Sequence, residues 1–500
     1  MEVTTARTIA QLLLQHRIPQ LFDKTKTLLP MLVDTLIGLD DQGSWQDVLR
    51  RLGLSTAPTS VRKGKQRCVD LLHRALSMID VEHLQASTRV RARIRAHRQF
   101  DSALIMSACA ANNSVMDILD TTKELTARFD LTLPWLMVEQ WRIRYLSVYN
   151  SSSFEACETQ IDRLERVLML ESEMNRLTQA FTVRLHDFQK HYESALTEMQ
   201  ELLARGEHIH ASIDTFYTRI TIWQMRTRYG HVASNYDLVI RTCQEALQWL
   251  NVHAEYSSRH IESEFMGNLY SALAQLGKLD NNHGSLDDLY ARNDPTKANQ
   301  HSNLQTICTL LLSLREYDKA SLIIRECLEV CPADVAEWRK QLWKLYHTCI
   351  AEIVTVEAIA TSPYWESVRA SSIVGQVAPD MKHMVKDKVV FNAALVIVDI
   401  VQALRSAKFD YVIDRAPELQ KYATRYGSTK RTPRTARFMR MLSSLVAADF
   451  DPVEADRRAS AIRAKYADAD SVVRDDAELI PYDDLWKVVL HHLNRVRQTK

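Results

Sequence analysis

HSNLQTICTLLLSLREYDKASLIIRECLEVCPAD, residues 301–334, decides how this chain folds. Leu304, Ile307, Cys308 and Leu311 recur at three- and four-residue spacing, the signature of a helix with one buried face. The polar run Arg315-Glu316-Tyr317-Asp318-Lys319-Ala320 then breaks the pattern. Ile324, Cys327 and Leu328 resume it, and Pro332 closes the unit. Cys308 and Ala320 are small, so two such helices can cross closely, while Leu304, Leu311, Ile324 and Leu328 fill the space around the crossing.

Thirty-four residues holding two helices, with small and bulky positions at these spacings, is the tetratricopeptide pattern. Residues 220–253 fit the same frame through Trp223, Thr227, Tyr236, Cys243 and Ala246, but Arg226 and Gly230 depart from it. Residues 262–295 fit through the turn Gly277-Lys278-Leu279 and the closing Pro295. Trp338 opens a further unit, in which 334–360 reads as one long capping helix. The expected fold is therefore all-α. It is an α-solenoid of antiparallel, tetratricopeptide-like helix pairs in a right-handed superhelical stack, with helical N- and C-terminal regions. The expected organisation is an N-terminal helical region at 1–60, repeats at 61–360, a loop at 361–380 holding two Pro and a Gly, and a C-terminal helical region at 381–500. The first region holds short helices near 5–17, 22–39 and 45–52, with Ser44 as an N-cap.

Composition agrees. Glycine numbers 11 in 500 residues, against an average of about 7%. Sheets joined by tight turns, Rossmann turns and phosphate loops all draw on glycine for positive φ, and this chain has little. Net charge is +1, so no global field announces a nucleic-acid or acidic partner. The eight cysteines at 68, 109, 157, 243, 308, 327, 331 and 349 form no CxxC pair. They sit in apolar helical patterns, which suits a reducing compartment. Neither 28–39 nor 389–404 reaches the eighteen or so uninterrupted apolar residues of a spanning helix. The N-terminus lacks a cleavable leader pattern, and the expected location is cytoplasmic.

Further elements lie outside the repeats. A basic segment, Val61-Arg62-Lys63-Gly64-Lys65, runs into a helix at 69–79. A late hairpin joins Phe391-Asn392-Ala393-Ala394 to Phe409-Asp410-Tyr411-Val412, and the chain closes on Ile480-Pro481-Tyr482-Asp483-Asp484-Leu485-Trp486. This layout resembles that of uncharacterised, Bacteroidota-type bacterial proteins with tetratricopeptide-like helical repeats. The resemblance implies a fold and brings no assigned reaction or site residues.

Catalytic patterns are missing: there is no phosphate loop, GxSxG, HExxH or EF-hand sequence. His208 with His210, and His491 with His492, read as surface or loop histidines. His186, Asp187, His191 and Glu193 read as a solvated face. The acids Asp475, Asp476, Glu478, Asp483 and Asp484 read as a solvated turn favouring the start of the last helix. The expectation is a non-enzymatic scaffold with no cofactor and no metal, holding a protein or peptide partner in a groove. Gln224, Arg228, Asn303 and Thr306 are the groove candidates. The competing expectation is a nucleic-acid-associated regulator. It rests on two basic segments, 61–98 and 421–440, in which Arg91, Arg95 and Arg98 align on one helix and Arg434, Arg437 and Arg440 on another. Self-association also remains open.

Overall fold

A computed structural model describes residues 2–15, 28–39, 43–84, 86–109, 112–146, 151–187, 192–279, 284–333, 335–354, 389–427, 433–466 and 478–498. Among them every regular element is helical and no strand occurs. The chain divides into two compact units, Met1–Leu168 and Met169–Lys500. The expected loop at 361–380 lies outside the described residues.

The first unit opens with α1 (Val3–Gln15), α2 (Leu28–Ile37), α3 (Trp45–Arg51) and α4 (Pro58–Ser77). Their shared core includes Leu13, Leu32, Leu36, Leu49, Cys68 and Leu72. Ser44 starts α3 through a full capping box, in which its hydroxyl accepts from the Asp47 N–H and the Asp47 carboxylate accepts from the Ser44 N–H. Next come α5 (Thr88–Ala108), α6 (Asn112–Arg128) and α7 (Thr132–Leu146), packed around Phe100, Ala103, Leu119 and Val138. The unit boundary falls inside the long α8 (Ser151–Asp187).

The second unit continues through α9 (Tyr192–Ser212), α10 (Phe216–Val232), α11 (Tyr236–Val252), α12 (Arg259–Gln275), α13 (Gly284–Ala291), α14 (His301–Ser313), α15 (Tyr317–Glu329) and α16 (Glu337–Val354). It ends with α17 (Val389–Arg405), α18 (Phe409–Gly427), α19 (Pro433–Ala447), α20 (Pro452–Lys465) and α21 (Tyr482–Gln498). Helices pack mainly on their sequence neighbours: α11 lies against both α10 and α12, and α15 against both α14 and α16. The first helices of successive pairs also meet, α10 with α12 through Trp223 and Phe265, α12 with α14, and α14 with α16 through Trp343 and His301. One core then runs from Leu286 to Leu493, because α16 packs on α17 and α21.

The turns show how so little glycine suffices. Asp130, Ser234, Arg315 and Ala407 adopt φ of 54°, 54°, 62° and 53°. After each, the next N–H returns to the carbonyl five residues back: Leu131 to Thr126, Asn235 to Gly230, Glu316 to Leu311 and Lys408 to Ala403, all at 2.8–2.9 Å. This is the left-handed helix stop that glycine ordinarily supplies. Among the described residues, only Gly53 and Gly277 are glycines that do so. Scarce glycine is therefore compatible with positive-φ turns, which Asp, Ser, Arg and Ala provide instead.

Candidate interaction face on the stacked first helices

Gln224, Arg228 and His231 stand at i, i+4 and i+7 on α10, hence on one side of it. Across from them α12 presents Glu264 and Asn268. The Gln224 amide donates to Glu264 Oε2 at 2.9 Å, and Arg228 lies 3.9 Å from Glu264 Oε1. Asn268 Nδ2 donates to the Glu264 carbonyl at 2.8 Å, which leaves its Oδ1 to accept from His231 Nε2 at 3.0 Å. All five side chains are half-buried. The floor beneath is aromatic and buried, with Trp223 2% and Phe265 1% exposed. Trp223 meets Phe265 edge-on at 6.3 Å and Trp249 at 5.9 Å, and Arg219 lies 5.1 Å from the Trp249 ring. Behind it, burial pushes the Cys243 thiol up to about 12, so this cysteine stays a neutral space-filler. The result is a polar ladder with donors and acceptors at its rim, over a packed aromatic floor.

Of the four groove candidates, Gln224 and Arg228 converge on Glu264. Asn303 instead donates to Asn293 Oδ1 at 3.1 Å. Thr306 bonds the Ser302 carbonyl at 3.2 Å and turns its methyl toward Gly267 of α12. Glu264, Asn268 and His231 escaped the sequence reading. Their four- and three-residue spacing was visible, but pairing 224 with 264 requires the register between two helices forty residues apart.

Arg91, Arg95, Arg98, Arg434 and Arg440 of the basic segments are engaged by their own chain. Arg98 donates to the carbonyls of Ile79 at 2.8 Å and Leu76 at 3.4 Å, closing the end of α4. Arg91 reaches the Glu82 carbonyl at 3.3 Å, and Arg95 pairs with the Glu82 carboxylate. Arg434 forks onto Glu478 at 2.8 and 2.9 Å. Arg437 is 6% exposed. Arg440 donates to the Ala423 carbonyl at 3.1 Å and stacks 4.3 Å over Tyr466.

The acids near the C-terminus differ from a solvated turn. Glu478 is buried on Arg434, and its Oε1 also accepts from the Tyr482 N–H at 2.9 Å. Asp484 is buried and accepts from Arg315 at 2.7 Å and Tyr317 at 2.9 Å. Burial pushes its carboxyl up, but the Lys487, Arg315 and Tyr317 bonds outweigh that and hold it below the ordinary range. Asp475 and Asp476 lie outside the described residues, as do the side chains of His186, Asp187, His191 and Glu193. His492, read as a surface residue, is 1% exposed and bonds Glu352 at 3.2 Å. In the first unit the buried Glu139 collects Arg142 at 2.6 Å, Lys123 at 3.3 Å and the Cys157 thiol at 3.1 Å. Burial works against its charge, yet these partners depress its pKa below the usual carboxylate range. Among the described residues no group of three or more His, Cys, Asp or Glu could hold a metal, and no helix is long and apolar enough to cross a membrane. No protein-family model, curated protein or solved structure matches this chain.

Proposed function

We propose that this chain is a non-enzymatic, tetratricopeptide-like scaffold, a right-handed stack of helix pairs that works in the cytoplasm and holds an extended peptide segment of another protein against α10 and α12. The observation that carries this reading is the polar ladder of Gln224, Arg228 and His231 over Glu264 and Asn268. Carboxamide, guanidinium and carboxylate groups together offer donors and acceptors to a peptide main chain, which carries one of each per residue. The tight floor supplies preorganisation, which lowers the ordering cost of binding. Three turns support the helix-pair assignment, since Asn235-Tyr236-Asp237, Glu316-Tyr317-Asp318 and Lys408-Phe409-Asp410 each follow a left-handed stop and start the next helix. Arg91, Arg95, Arg98, Arg434 and Arg440 favour a protein partner over the nucleic-acid reading, because each of these guanidinium groups would have to leave an internal bond to reach a phosphate.

The test is site-specific photocrosslinking in cells. A photoreactive residue at Arg228 or Gln224 should give one discrete adduct, absent when the same residue replaces Arg457 on α20. Adducts that are diffuse, or equal at both places, would count against the groove. An adduct with nucleic acid would overturn the reading.

A further inference from the structure

We propose that α4 carries a second docking face, in the first unit and independent of the groove on α10 and α12, for an acidic helical segment of another protein. Between residues 58 and 77 stand Arg62, Lys63, Lys65, Arg67 and Arg74 against one acid, Asp70. The buried side of the helix is fixed. Cys68, Leu72 and Ala75 are at most 1% exposed, and a Cβ on Gly64 would lie 3.0 Å from Leu49 Cδ2. The guanidinium of Arg98 closes the C-terminal end. The other side holds a shallow groove of about 450 Å³ lined by Lys63, Gln66, Arg67, Asp70, Leu71 and Arg74.

Two features separate this face from the other basic segments. Lys63, Arg67 and Arg74 are exposed and have no hydrogen-bond or ion-pair partner among the described residues, whereas Arg91, Arg95, Arg98 and Arg434 are all engaged. They also carry a pattern. At about 100° and 1.5 Å per residue, positions 63, 67, 70 and 74 share one narrow stripe, with charges at roughly 0, 6, 10.5 and 16.5 Å along the axis. The order is plus, plus, minus, plus, because Asp70 sits in line and is held there by Gln66 Nε2 at 2.9 Å. A uniform row of phosphates would meet a carboxylate in mid-face and be repelled. A helix with acids at i, i+4 and i+11 and a lysine at i+7 matches every position, and Leu71 adds an apolar contact. Opposed like charges discriminate against the wrong partner as strongly as the attractive pairs select the right one.

The test uses the full chain and three labelled probes followed by fluorescence anisotropy. They are an alanine-based helical peptide with Glu at i, i+4 and i+11 and Lys at i+7, a peptide of the same composition in scrambled order, and a short DNA duplex. The patterned peptide should bind about tenfold more tightly than the scrambled one, the sum of a few exposed pairs, and should weaken as salt rises. Lys63→Gln/Arg67→Gln/Arg74→Gln should remove the preference, with circular dichroism checking that the helix persists. Arg62→Gln, on the same helix but off the stripe, should change binding less than about twofold. Asp70→Asn should weaken the patterned peptide. Equal binding of both peptides, or no binding of either, would overturn the proposal. Tighter binding of the duplex that improves further in Asp70→Asn would assign the face to nucleic acid instead.

Discussion

Arg315 and Ala407 occupy the same left-handed conformation at the same place in a helix–turn–helix, yet for different physical reasons. A side chain with a Cβ is strained there by about 1–2 kcal/mol, so something must compensate or the strain is simply tolerated. At Arg315 the compensation is visible. Its Nε reaches the buried Asp484 at 2.7 Å, 169 residues further along, a contact that glycine would lose. Ala407 reaches nothing comparable. Ala407→Gly should therefore stabilise the protein by about 0.5–1 kcal/mol, since relief of strain exceeds the extra freedom glycine gives the unfolded chain. Arg315→Gly should destabilise it despite relieving the same strain, because a buried carboxylate loses a charged partner. Urea midpoints of the two variants should move in opposite directions; movement in the same direction would show that Asp484 does not justify the arginine. The sequence announces the turn at 315–318 but not this partner, since nothing local to Arg315 points to position 484.

At three of the left-handed stops, one of the two residues that straddle the turn is small and the other larger, and which helix carries the small one differs. Nine residues separate Gly230 from Val239, Leu311 from Ala320 and Ala403 from Val412, each pair straddling a left-handed stop. Where the first helix carries Leu, the second carries Ala; where the first carries Gly or Ala, the second carries Val. Gly230 had looked like a departure from the repeat, yet it is the small half of such a pair. A Cβ there would stand 2.6 Å from Val239 Cγ2 and 3.1 Å from the Asn235 carbonyl. Gly230→Ala should cost about 1–3 kcal/mol through overpacking, and Val239→Ala alone should also destabilise by opening a void. The double variant should be more stable than the sum of the two predicts, by at least about 0.5 kcal/mol in a double-mutant cycle. Additive losses would mean that the two side chains do not share one space. Helical periods, the capping box at Ser44 and the turns at 234 and 315 were legible because they depend on neighbours within a few residues. The face formed by Gln224 with Glu264, and the internal duties of Arg98 and Arg434, depend on which helices stack, and periodicity carries no information about that.

Across the whole molecule, the C-terminal helix closes one core by long-range bonds: Asp484 to Arg315, His492 to Glu352 and Trp486 to Asp456. Histidines within this same unit make it acid-sensitive before its carboxylates are reached. Burial holds His347 below the ordinary value of 6.5. Burial likewise depresses His210, against the opposing pull of Asp214, and His491, where His492 and Arg495 add to the effect. A histidine whose folded pKa lies below its unfolded one is held neutral by the fold. Below pH 6.5 the unfolded chain takes up a proton that the folded chain refuses, so stability falls as pH falls through that window and is fully present above it. Asp484 and Glu139 act in the same direction but only at lower pH, because their unfolded values are 3.8 and 4.5. The urea midpoint followed by tryptophan fluorescence should therefore drop between about pH 7.5 and pH 5.5, where histidines titrate and carboxylates do not. His347→Gln should flatten that drop, since an amide of similar reach has no proton to gain. A parent midpoint that holds steady or rises on acidification, or a variant as acid-sensitive as the parent, would remove His347 from this role.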